Sequence, residues 1–293
     1  MTRAPRALLL AGAPRRYRVS GPDPDRFRLF QRLRQDGNDG TGSTGNGTGS
    51  TGNGTGSTGN GTGSTGNGTG STGNGTGSTG SGTGSTGSPA PGAPIRIALP
   101  GGRLLPGRAL QTTPYMVAAE LGAAEAALVA RVNGALQDLE QPLEGDSDLE
   151  LLDFNSAEGR EAFWRSGAFV LGAVLEQFYG ATFCRASATE DGFHCDVHMG
   201  DRTVPRGDLQ ALEGACAAFA RAGHRFERLE APRERLRELL EHNRFQLQQL
   251  EAVPAPLATL YRCGPQLQLC RGPLLRHTGL IGALRILSVR SVW

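Results

Sequence analysis

Apolar and polar positions along the chain mark out segments that differ in what they can fold into. The clearest is Asn155–Gly180. Phe163, Trp164, Leu171, Val174, Leu175 and Phe178 recur there at helical spacing. Asn155 followed three residues later by Glu158 reads as a capping box, and Gly180 is placed to stop the helix. Upstream, Ile95, Ile97 and Leu99 alternate as a half-buried strand does. Pro100-Gly101-Gly102 turns the chain into a second strand over Arg103–Leu105. Thr113, with Pro114 at the first helical position, opens a helix that turns Met116, Val117 and Leu121 to a core and ends at Gly122. Leu128–Val132 reads as a strand running into the hairpin pair Asn133-Gly134. Leu139, Leu143 and Leu149–Leu152 supply the last pieces of this unit.

Downstream of the long helix, Ala181–Cys184 and Gly192–His198 read as strands. Asp208 caps a helix through Ala222, with Leu209, Leu212, Cys216 and Phe219 inward. Phe226 and Leu229 lie on a short strand. Pro232 opens a charged helix to Asn243 with Leu236, Leu239 and Leu240 as its apolar stripe, and Ala258–Tyr261 with Leu267–Leu269 forms a final hairpin. Near the N-terminus, residues 22–36 predict a short basic helix with Phe27, Phe30 and Leu33 on one face. It either docks on RNA or lies as a solvated helix.

Composition changes this picture in one place. Thr41 to Ser88 repeats the unit T-G-S-T-G-N-G with no apolar residue. Such a segment has nothing to bury and behaves as a flexible coil. The division expected is therefore 1–21, 22–40, a low-complexity linker at 41–93, a first folded unit at 94–154 and a second at 155–293. Strands and a helix in the first unit suggest a small β-grasp, and helices on an antiparallel sheet in the second make the whole α+β.

A net charge of +2 gives no global case for nucleic-acid binding. All basic residues are arginine; base composition of the gene explains that, as does selection for guanidinium forks on phosphate. Residues 1–21 carry Arg3, Arg6, Arg15, Arg16 and Arg18 and no acid, as a mitochondrial transit peptide does. No apolar run reaches the roughly 18–20 residues of a membrane span. Five cysteines, an odd number with no C-x-x-C, argue against a disulfide framework or zinc ribbon. One row has metal-ligand character: His194, Asp196 and His198 share a strand face. The simpler reading is a solvent-facing edge.

The helix from Asn155 also carries a resemblance. It looks like the opening helix of the second N-terminal domain of threonyl-tRNA synthetases, which hydrolyses mischarged seryl-tRNA through H-x-x-x-H and a distant C-x-x-x-H. Here the first motif reads Arg165-Ser166-Gly167-Ala168-Phe169 and the second Cys270-Arg271-Gly272-Pro273-Leu274. Residues 94–154 resemble the TGS domain of those enzymes, through Thr113-Pro114-Tyr115, Val132-Asn133-Gly134 and Pro142–Leu149. The resemblance, over roughly 94–293, implies an α+β editing-type domain behind a β-grasp TGS domain, with Arg165, Phe169 and Leu274 in place of histidines and only Cys270 retained. His277 is the candidate substitute. It implies tRNA or ribosomal RNA as partner and no catalytic, metal or cofactor site in this chain, ATP and zinc being expected only in a ligase core beyond Trp293. Two expectations follow: the N-terminal part of a mitochondrial synthetase with an inactive editing pocket, or a structural protein of the mitochondrial large ribosomal subunit, which would have mitochondrial ribosomal proteins as neighbours. Trp164-Arg165-Ser166 supports the second.

Overall fold

The computed structural model describes residues 24–38 and 89–290. The proposed targeting segment and the glycine-rich repeat lie outside them.

The first part is one five-stranded sheet. Its strands are β1 (Pro94–Ala98), β2 (Leu104–Arg108), β3 (Val129–Val132), β4 (Ala135–Gln137) and β5 (Ser147–Leu152). They lie in the order β2-β1-β5-β3-β4, with β1 and β5 parallel and the other neighbours antiparallel. This is the arrangement that the β-grasp expectation requires. The β3–β4 hairpin turns at Asn133 and Gly134 with φ of 49° and 83°. That left-handed pair matches the strand twist, and only residues tolerant of positive φ adopt it cheaply. Helix α2 (Pro114–Glu120) is capped by Thr113, whose Oγ1 accepts the Met116 N–H at 3.3 Å. Ile95, Ile97, Val117, Leu139, Leu143 and Leu149 form its core. Met116, expected inside, is 54% exposed; the helix is only two turns long, and Val117 and Ala118 occupy its buried stripe.

Helix α3 (Ala157–Tyr179) follows. Its cap is Ser156, whose Oγ accepts the Gly159 N–H at 3.0 Å, and not Asn155. Asn155 instead donates to Asp153, and Glu158 pairs with Arg131 across on β3. Gly180 ends the helix at φ 62°. Against α3 lie the antiparallel pair β6 (Thr182–Thr189) and β7 (Gly192–His198) and helix α4 (Leu209–Arg221). Asp208 makes no capping bond; its carboxylate accepts the Tyr179 hydroxyl at 2.8 Å.

Strands β8 (Phe226–Pro232), β9 (Leu257–Cys263) and β10 (Gln266–Leu269) form an antiparallel sheet in the order β10-β9-β8. The helix expected from Pro232 to Asn243 stops earlier, as α5 (Arg233–Leu240). Asn243 caps a further helix, α6 (Arg244–Glu251), which the sequence pattern did not suggest. The N-terminal helix α1 (Pro24–Asn38) is not a solvated helix. Phe30 and Leu33 are buried against Leu229, Leu236, Leu240 and Leu260 on β8, α5 and β9. The chain is α+β.

Candidate functional site

Arg165 and Phe169 stand one turn apart on α3, so helix geometry sets them on one face. Their environments differ. Phe169 is 2% exposed and meets the Phe226 ring edge-on at 5.4 Å. Arg165 reaches across to the segment after β10: Nη1 donates to the carbonyls of Gly272 at 2.8 Å and Pro273 at 3.2 Å. Its other arm pairs with Glu161. The guanidinium thus staples the 270–274 segment to the helix.

The stapled segment and the residue after it are held by two further side chains, Ser166 and Asp138. The Leu275 N–H donates to Ser166 Oγ at 3.0 Å, and that hydroxyl donates to the Ala162 carbonyl at 2.7 Å. The Leu274 N–H donates to Asp138 Oδ1 at 2.9 Å, and the Tyr261 hydroxyl donates to Asp138 Oδ2 at 2.7 Å. Gly272 has φ 65°, and a Cβ there would lie 2.2 Å from the Tyr261 oxygen, so only glycine fits. Leu274 is 1% exposed, within the apolar cluster that contains Phe169 and Tyr261.

Each polar group is consumed or muted by this packing. Burial pushes the Cys270 thiol up; the Gly272 N–H and Arg165 oppose that shift, and Asp138 adds to it. A thiol held neutral is a poor nucleophile and a poor metal ligand. Ser166 has no base beside it among its hydrogen-bond partners. Burial raises Asp138, although Tyr261, Leu274 and Arg228 favour its ionised form, and burial raises Tyr261 as well. Arg165, Phe169, Cys270 and Leu274 together offer one thiol as a metal donor, which does not fit a zinc ion needing three or four ligands.

The other candidates lie elsewhere. His277 sits beside Gly279 and bridges to Arg225, with its Nδ1 buried and unbonded; desolvation, first, and Arg276 lower its pKa. On β7, Asp196 is paired with Arg185 at 2.7 Å, the His198 ring meets Phe245 at a tilt with centroids 5.4 Å apart, and His194 is exposed opposite Ser187. Among the described residues no three His, Cys, Asp or Glu side chains are grouped as a metal would require. Ser166, Asp138 and Tyr261 carried no signal in the sequence, because each acts through a partner remote along the chain.

Residues 258–292 match the family described as the threonyl and alanyl tRNA synthetase second additional domain. Over 204 residues the chain is 47% identical to the human mitochondrial threonine–tRNA ligase, covering 68% of this chain and 28% of that protein. The chain is related by sequence to the N-terminal editing region of threonyl-tRNA synthetases. Cytoplasmic relatives of that family match on a similar scale: the bovine threonine–tRNA ligase 2 at 44% over 195 residues, 66% of this chain and 27% of the relative, and the Caenorhabditis elegans enzyme at 40% over 196 residues, with the same coverage. The match thus spans under a third of these synthetases' own length.

Proposed function

We propose that this editing region serves a mitochondrial threonyl-tRNA synthetase as a tRNA-binding unit whose hydrolytic pocket is inactive. Residues 94–154 act as the TGS domain and residues 155–293 as the editing-type domain, and the substrate engaged is the acceptor arm of threonine tRNA. One observation carries the reading: Arg165 bonds the Gly272 and Pro273 carbonyls, tying together the two segments that resemble the motifs. A cation bonded to carbonyls neither takes a proton from water nor binds a metal. ATP and zinc belong, on this reading, to a ligase core and not to these residues.

The test is deacylation of seryl-tRNA(Thr) by the purified chain. Hydrolysis should proceed at the uncatalysed rate, unchanged by Cys270→Ala, while the same tRNA is retained in a filter-binding assay. Rapid deacylation abolished by Cys270→Ala would overturn the inactive pocket; failure to retain tRNA would overturn the binding role.

A second reading, a structural protein of the mitochondrial large ribosomal subunit, is favoured by Trp164-Arg165-Ser166 and by the same Arg165 bonds. Co-sedimentation of the tagged chain with large subunits after a high-salt wash would select it. The identity to ligases across two-thirds of the chain favours the first.

A further inference from the structure

We propose that the outward face of α1, with Arg262 of β9, is a second RNA-contacting surface that grips a phosphate backbone. It rests on the RNA-binding reading above and extends it to a helix outside the segment of synthetase resemblance.

The face is fixed in place. Phe30 and Leu33 are buried in the core of the β8–β10 sheet, so α1 cannot rotate to hide its other side. Arg28, Gln31, Arg32 and Gln35 recur at i, i+3, i+4 and i+7, one stripe turned away from Phe30 and Leu33, with Gln31 at its sheet-side edge. Together with Pro24, Phe27 and Arg262 they line an open groove of about 520 Å³. The Arg262 guanidinium lies 4.9 Å over the Phe27 ring and donates to Glu227 at 2.9 Å, which holds a cation at the groove wall.

Charge distinguishes this face from an ordinary solvated one. Helix α5 mixes signs, with Arg233, Arg235 and Arg237 among Glu234 and Glu238. Helix α1 has no glutamate; its acids are Asp25, bonded to Arg28 at 3.1 Å, and Asp36. The nearest acid on the sheet, Glu227, is shared by Arg34 at 3.2 Å, Arg262 and Gln31. Arg32 has no carboxylate partner among the described residues. Arginine forks and amide donors in one stripe match a chain of phosphates, and a polyanion gains further by releasing its counterions.

The experiment measures fluorescence anisotropy of a labelled threonine-tRNA transcript with the full chain, across a salt series. The Arg28→Gln/Arg32→Gln variant should bind roughly five- to tenfold more weakly near 0.1 M salt, with the salt slope shallower by about 1.5–2. Arg235→Gln/Arg237→Gln on α5 should bind as the parent does, and thermal melts should match throughout. An α1 variant that binds like the parent would overturn this proposal and leave tRNA binding standing. Equal losses in both variants would overturn it too, since general charge would explain them. A parent that binds poly-glutamate but no RNA would overturn both readings.

Discussion

Asp138 shows what one side chain contributes here. It leaves the turn after β4, accepts from Tyr261 and Leu274, and stands 3.9 Å from Arg228. Burial raises its folded-state pKa above the ordinary value of 3.8. The folded chain then holds that proton more tightly than the unfolded one. This contribution to stability is complete below the unfolded value and is lost as pH rises through the raised folded value. Asp138→Asn should remove that term: in urea melts from pH 4 upward, stability relative to the parent should improve as pH rises. A difference independent of pH would show that the carboxyl titrates alike in both states. None of this was legible beforehand, since Asp138 and Leu274 lie 136 residues apart. Arg165 and Leu274 drew notice in the sequence through the resemblance alone. Their partners drew none.

Elements were legible where local chemistry decides them. Asn133-Gly134, Thr113-Pro114 and Gly180 fixed a hairpin, a helix start and a helix stop through backbone conformation alone. Helix α6 was missed because it is only eight residues long and Leu247 and Leu250 are too few for a period. Its signal is the cap: Asn243 Oδ1 accepts the Phe245 and Gln246 N–H groups at 3.1 Å, while its amide donates to the Phe183 carbonyl at 2.8 Å. Asn243 is fully buried, so Asn243→Ala should strand three polar groups and cost about 2–4 kcal/mol by chemical denaturation. A loss below about 1 kcal/mol would mean that water replaces those bonds. The basic character of α1 was legible too, but its docking was not, since Phe30 and Leu33 have their partners two hundred residues away.

Across the whole molecule, the five-stranded sheet and the α3-containing part meet through specific contacts. Arg276 donates to Glu140 at 2.7 Å and lies 3.3 Å over the Tyr115 ring. Arg228 donates to Gln141 at 2.6 Å, and Val129 and Leu152 pack on Ala162. Residues 94–290 should accordingly unfold in one calorimetric transition, with van't Hoff and calorimetric enthalpies agreeing. Two resolved transitions would mean that these contacts are too weak to couple the parts. The α+β architecture followed from element types, whereas this coupling depends on side chains that no periodicity marks.

The Arg165 staple also bears on how such a protein changes over time. Replacing that arginine with histidine would release two backbone carbonyls while Phe169 and Leu274 still left the newcomer without companions. If the pocket is inactive as proposed, hydrolysis would need all three positions altered together, and the first change would already forfeit the bonds to the Gly272 and Pro273 carbonyls. On that proposal the closure acts as a ratchet, because the route back costs hydrogen bonds at the first move.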